Sequence, residues 1–248
     1  MDGLVNEIAD GVQLLRIDRV EAQNGMTSEM CEAAADALSF AESSSRARVV
    51  LLTGVPGLFT IGIDPGDLEA YARTGVMGES VVRLFKTIAT VDIPVIAAVD
   101  GVVAGAGAAL LFHCDYVVAS EWVNISLSYA DHGLPPESGL SLLAPLQIGY
   151  QAAFGLLAMG DSLDAEQALR IGLVNRVVPA EDVESAGLDA ARNLASKPPE
   201  AVRIARRMMR GDPRSTVMRI DAEAKAFTDL LRSPAARDAL KAYLSRIG

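Results

Sequence analysis

"PVIAAVDGVVAGAGAALLFHCDYVVAS", residues 94–120, is the stretch on which the reading of the fold turns. It opens with a short, nearly all-apolar, β-branched run ended by Gly101, the pattern of a strand covered on both faces. Gly105 and Gly107 then start an apolar helix, and "DYVVAS" begins another strand. Glycine at such a junction lets the backbone approach a ligand, and a helix start offers N–H groups without intrahelical partners to developing negative charge. The spacing does not make a dinucleotide fingerprint: Leu110 stands where the third glycine is needed, and no acid follows about twenty residues later at a strand end. Read locally, the glycines fit tight turns in an α/β core just as well.

The same pattern recurs upstream. "RVVLLTG", residues 48–54, is a second buried-strand run, and it leads into the glycine-punctuated loop of "LTGVPGLFTIGID", residues 52–64. "GVQLLRID" alternates as a strand, and "SEMCEAAADALSFAESS" sets Met30, Ala33, Ala34, Ala37 and Leu38 along one helical face. After Gly139 the character changes. "LSLLAPLQIG", "DAEQALRIG", "PPEAVRIARRMM" and the tail from Ser215 carry helical periodicity with Gly or Pro stops, and only "LVNRVV" interrupts as a strand. The layout is an α/β core over 1–190 and a C-terminal helical region over 191–248, with no low-complexity linker between them.

A chain of 248 residues, half of them apolar, suits one large domain. With 22 basic and 32 acidic residues the net charge is −10, which argues against nucleic acid or an anionic membrane as the main partner. "MDGLVNEIADG" lacks the basic and apolar regions of a signal peptide, and the longest apolar run, around "VVAGAGAALLF", is too short to cross a bilayer, so a cytoplasmic location is expected. Cys31 and Cys114 are too few for a disulfide framework, and His113 and His132 lack zinc-site spacing. No metal is expected.

Three segments in order, "VVLLTGVPGLFTIGID", the opening stretch and "ALRIGLVNRVVP", resemble the enoyl-CoA hydratase/isomerase family, the crotonases, from about Gly11 to the C-terminus. The resemblance implies a spiral of repeated ββα units, a C-terminal helical region used in trimerisation, and a homotrimer or dimer of trimers. It implies an acyl-CoA substrate and no cofactor beyond the CoA moiety of that substrate. By alignment the two main-chain N–H groups that bind the thioester oxygen fall on Ile63 and Ala106. The CoA moiety would follow the backbone near "EAQN" and "IGIDP", at Ala22, Ile61, Asp64 and Pro65. Tyr243 and Arg246 stand where an aromatic and a basic residue often reach a neighbouring subunit's CoA, although from the residues alone a packed aromatic and a solvated charge serve equally.

Family hydratases carry two glutamates, and the matching positions here hold Ala109 and Tyr129. Alanine moves no proton and a phenol is a poor base at neutral pH, so two-acid hydration is not expected. Eight residues after Tyr129, "HGLPPESGLS" carries Glu137, where the family's Δ3,Δ2-enoyl-CoA isomerases place their carboxylate. Local sequence alone reads Glu137 as an acid at a helix start, a position that favours the ionised form by about 0.3–1 kcal/mol. Burial beside an acyl chain acts the other way and more strongly, so a raised pKa is expected. The chain thus reads as an enoyl-CoA isomerase with Glu137 as its single base. The alternatives are another crotonase reaction (weak hydration, hydrolysis or decarboxylation) and a non-catalytic acyl-CoA-binding protein. Asp131 and His132 read either as ligand contacts or, more plainly, as a solvated loop; Tyr129 reads as an acyl-pocket wall or a hydrogen-bond donor, and Asp100 and Asp115 as turn and cap residues.

Overall fold

The computed structural model describes residues 2–247, with side chains through Ser245. In chain order its elements are β1 (Leu4–Ala9), β2 (Val12–Ile17), α1 (Ser28–Ser43), β3 (Val49–Thr53), β4 (Leu58–Thr60), α2 (Pro65–Thr74), α3 (Glu79–Thr90), β5 (Val95–Val99), β6 (Val102–Ala104), α4 (Gly105–Leu111), β7 (Tyr116–Ser120), β8 (Asn124–Ser126), α5 (Leu140–Ile148), α6 (Tyr150–Phe154), β9 (Ser162–Asp164), α7 (Ala165–Arg170), β10 (Arg176–Val178), α8 (Val183–Ala195), α9 (Pro199–Arg210), α10 (Arg214–Leu231) and α11 (Pro234–Ile247).

The strands form two sheets. Six run in the order β1-β2-β3-β5-β7-β10, and four in the order β4-β6-β8-β9. Each of β3, β5 and β7 in the larger sheet is followed directly by β4, β6 and β8 in the smaller one, and both sets pair parallel with their neighbours. Every ββα unit therefore advances one strand in both sheets at once, which is the crotonase spiral. The runs read as doubly covered strands are so: Val50 and Leu52 of β3 join the core shared with α1 and α3, while Val49 and Leu51 join the core covered by α8. Fully burying such side chains contributes about 1.5–3 kcal/mol each, enough to hold the strand register.

Close packing of successive units explains Gly101. Its φ is +62°, and a β-carbon there would stand 1.9 Å from the carbonyl oxygen of Gly57 in the preceding corner. Asp100 accepts from the Gly57 N–H at 2.6 Å, and Asp115 accepts from the Val95 N–H at 2.8 Å while pairing with Arg206 at 2.7 Å, so both acids serve junctions.

The smaller sheet is not visible in the sequence pattern, because its strands span only three residues each. The division at 190/191 also moves. It falls inside α8, whose Val183, Ala186, Ala191 and Ala195 belong to the core beneath the larger sheet, so the change to the helical rear comes at the Lys197–Pro199 stretch before α9. The rear helices then fold back: α10 packs on α3 and α5, and α11 packs on α2 and on the turn at Ala130–His132. Among the described residues no helix is long and apolar enough to cross a membrane.

Candidate active site

Two glycine turns meet at the inner end of one cavity. A β-carbon on Gly62, where φ is +98°, would stand 2.9 Å from the Ala106 nitrogen and 3.0 Å from the Ala104 oxygen. Only glycine lets the 61–63 turn come this close to the start of α4. Met26 donates to the Gly62 carbonyl at 2.8 Å and accepts from the Asp64 N–H at 3.0 Å. Between these two bonds the Ile63 N–H points away from Met26. Ala106 is the second residue of α4, and first-turn N–H groups have no intrahelical carbonyl to meet. Ile63 and Ala106 both line the one recess where the two turns meet.

The first turn is held from behind by a residue that sequence reasoning passed over. Asn24, fully buried with φ +55°, donates through Nδ2 to the carbonyls of Ile17, Leu58 and Phe59 at 3.1, 3.2 and 2.9 Å. Its own carbonyl accepts from the Thr60 hydroxyl at 2.5 Å, and Thr60 Oγ1 accepts from the Gly62 N–H at 3.0 Å. An Asn beside Gly25 was the available signal, since Asn tolerates the left-handed backbone better than most residues.

The cavity has a volume of about 200 Å³. Its lining includes Ile61, Ile63, Gly105 and Ala106 from the two turns, and Tyr129, His132, Leu134 and Glu137 from the segment between β8 and α5. Phe227 of α10 and Leu240 and Tyr243 of α11 also line it, with Leu68 of α2 and the serines at 126 and 128. Two surface grooves are larger, about 670 Å³ between α3 and α10 and about 600 Å³ beside α8 and α9. The smaller cavity is distinguished by chemistry rather than size, because a buried carboxyl and both glycine turns line it.

Glu137 is 4% exposed. Burial pushes its pKa up to about 7, the neighbouring charge of Glu223 adds to the rise, and a hydrogen bond from the Tyr129 hydroxyl at 3.4 Å opposes it. Such a group is close to half-ionised at neutral pH, the condition in which a carboxyl both takes and returns protons. Burial pushes the Tyr129 phenol well above its ordinary range, so it can donate but not act as a base at neutral pH. Ala109 is buried within α4 and carries no acid.

The Glu137 side chain does not cap the helix start, although its main-chain carbonyl accepts from the Leu140 N–H at 3.1 Å. The α5 helix begins at Leu140, and its N-terminal amides are met by Glu223 of α10, which accepts from the Gly139 N–H at 2.5 Å, the Ser141 N–H at 2.8 Å and the Ser141 hydroxyl at 2.5 Å. Between Glu137 and the helix lies Ser138, buried with φ +66°, whose carbonyl accepts from His113 Nε2 at 2.7 Å. Burial depresses the His113 pKa to about 4, so the ring is neutral and Nε2 carries the proton that the bond requires.

The residues expected along the CoA moiety divide. Ile61 and Tyr243 line the cavity, whereas Ala22, Asp64 and Pro65 lie on adjoining segments outside its lining. The Asp64 side chain is committed to Arg19 at 2.5 Å and to the Gly66 N–H at 2.8 Å, so only its main chain can face a ligand without breaking those bonds. Tyr243 packs against His132 of its own chain, with ring centroids 3.7 Å apart and ring planes inclined by 34°, as α11 lies over α2 and the 130–132 turn. His132 is correspondingly part of the cavity wall rather than a solvated loop residue. The side chain of Arg246 lies outside the described residues. Among the described residues no three His, Cys, Asp or Glu side chains gather as a metal site.

A two-sheet ββα spiral whose rear helices close a cavity holding one buried carboxyl belongs to the crotonase superfamily of acyl-CoA enzymes. Residues 7–247 match the sequence model of the family described as enoyl-CoA hydratase/isomerase, and the chain belongs to that family. Relatives of both kinds occur. A 1,2-epoxyphenylacetyl-CoA isomerase of Escherichia coli strain K12 is 33% identical over 80% of this chain and 78% of its own. A short-chain-enoyl-CoA hydratase of Clostridium acetobutylicum is 25% identical over 99% of this chain and 96% of its own. A crystal structure of an enoyl-CoA hydratase/isomerase from Pseudoalteromonas atlantica T6c superposes with a TM-score of 0.91 at 31% identity, covering 99% of this chain and 98% of that one.

Proposed function

We propose that the protein is a Δ3,Δ2-enoyl-CoA isomerase with Glu137 as its only acid–base residue. In this reading Glu137 removes a proton from C2 of a 3-enoyl thioester. The N–H groups of Ile63 and Ala106 hold the enolate oxygen, and the protonated Glu137 returns the proton to C4 as the double bond moves into conjugation. No atom is added or lost, so one carboxyl suffices. The CoA moiety is part of the substrate and follows the main chain at Ala22, Ile61, Asp64 and Pro65.

The observation that supports this reading best is the state of Glu137: it is the lone carboxyl lining the cavity among the described residues, buried, with its pKa raised to about 7. Addition of water needs a second group to place and deprotonate it, and the two family positions for those acids hold Ala109 and the high-pKa Tyr129. The assembly we propose is a homotrimer or dimer of trimers. It is supported by the apolar side chains that α5, α6 and the following turn leave uncovered: Leu146, Tyr150, Phe154 and Met159.

Purified protein is expected to convert a 3-enoyl-CoA into its 2-enoyl isomer, followed by the absorbance of the conjugated thioester, and to hydrate crotonyl-CoA at least about 100-fold more slowly. Faster hydration than isomerisation overturns the proposal. Tight acyl-CoA binding without turnover of either substrate replaces it with a binding role.

A further inference from the structure

Segment 137–141 is clamped from two directions by side chains far away in sequence. On one side His113, at the end of α4, holds the carbonyl of Ser138 at 2.7 Å. On the other, both carboxylate oxygens of Glu223 are engaged by Gly139 and Ser141. Ser138 is kept between them in the left-handed region, where a serine pays a steric cost that its surroundings must meet. A conformation so held fixes the direction in which the preceding side chain, Glu137, leaves the chain.

We infer that Glu223 is a positioning residue for Glu137, tying down the turn that aims the base and placing a negative charge behind it. This rests on the reading of Glu137 as the base. Glu223 is 6% exposed and faces three donors, which suit its ionised form. Burial raises its pKa, and the hydrogen bonds from Ser141 and Gly139 and the charge of Arg219 work against that rise. Arg219 donates to the Ser141 hydroxyl at 3.0 Å, so this cation is linked to Glu223 through Ser141. Among the described residues, the other titratable groups around the pair include Tyr129 and His132 from the β8–α5 segment, Tyr243 from α11, Tyr71 from α2, Cys31 from α1 and the neutral His113. On the outer side of α10 Asp221 is paired with Lys86 of α3 at 2.5 Å. Glu223 is thus the carboxylate that contributes to the raised pKa of Glu137, and its removal should let Glu137 ionise more easily.

The test compares parent, Glu223→Gln and Glu223→Asp in kcat/KM against pH on a 3-enoyl-CoA, with rates normalised to folded protein by near-ultraviolet circular dichroism. In parallel, carbon-13 NMR follows the Glu137 carboxyl, assigned by its loss in Glu137→Gln. In Glu223→Gln the acid limb of the profile and the NMR midpoint should both fall by about one pH unit. The plateau kcat should drop about 10- to 100-fold with KM changed less than about threefold. Glu223→Asp keeps the charge but is one methylene too short to reach both amides, so it should restore the limb and not the plateau. An unmoved limb and NMR midpoint in Glu223→Gln overturn the inference. If that variant does not fold, Glu223→Asp decides: a parental plateau per folded site overturns it, and a lowered plateau at an unmoved limb supports it. Parental activity of Glu137→Gln would instead remove the base assignment, while the NMR midpoint would still report whether Glu223 sets the ionisation of Glu137.

Discussion

The turns at 61–63 and 104–106 and the segment at 129–141 line the same cavity, but they present chemistry in different ways. The first two offer main-chain N–H groups, placed by glycines whose missing side chains let two loops touch. The third offers side chains whose protonation is set by burial and by one another. A main-chain donor keeps its position when its own side chain changes, whereas a carboxyl loses its chemistry with one substitution. The first wall should therefore be sensitive to added volume and the second to altered charge.

The largest expected effect is on the side-chain wall. Glu137→Gln should lower kcat for 3-enoyl-CoA isomerisation by about 10³-fold or more while acyl-CoA binding, measured by calorimetry, stays within about threefold. A variant with parental turnover breaks the contrast outright.

On the main-chain wall, Gly62→Ala puts a methyl group against the Ala106 nitrogen in a backbone conformation that alanine resists. Loss of one oxyanion donor costs about 2.7–4 kcal/mol, so kcat should fall about 10²- to 10³-fold. Ile63→Val, which leaves the N–H in place, should stay within several-fold of the parent. If the two variants lose equal activity per folded site, the donors are not what the glycine protects.

The third test reads stability. Because the folded-state pKa of Glu137 is raised to about 7 above an ordinary 4.5, its contribution to stability is fully present below about pH 4.5 and lost as pH rises through about 7. Glu137→Gln carries no such penalty. At pH 8 it should be more stable than the parent by as much as about 3 kcal/mol in urea unfolding, with the difference shrinking toward pH 5. A constant difference across that range would mean that burial does not raise this carboxyl.

The smallest effect belongs to Tyr129. Its bond to Glu137 is long at 3.4 Å and holds the Glu137 pKa down. Tyr129→Phe should slow turnover only about two- to fivefold and move the acid limb of the pH profile slightly upward, a direction opposite to that of Glu223→Gln.

Much of the main-chain wall is legible in the sequence. Gly105 and Gly107 after an apolar strand, and Gly62 in a loop after another, announce junctions of close approach, because no other residue permits them. The long strands β3, β5 and β7 were legible through their β-branched runs. The three-residue strands β4, β6 and β8 carry too little periodicity to read, and so the second sheet, which makes the fold a spiral, stayed hidden. On the side-chain wall Glu137 stood out by resemblance, but the partners that set its state did not. Glu223 lies in α10 on the same face as Ile220, Phe227 and Leu231, all buried. A charged residue inside an apolar stripe was its one trace in the sequence, and its partner amides lie more than eighty residues away.

By itself the sequence determined the layered α/β core, the glycine junctions and the absence of acids at positions 109 and 129, since these follow from residue type and local spacing. Tertiary structure decided what Glu137 is: an acid that local pattern assigns to a helix start became a buried group of raised pKa once Glu223 took the helix amides and α10 and α11 closed over the cavity. Protonation depends on solvent and on charges brought near through space, and neither is encoded within the few residues around the acid itself.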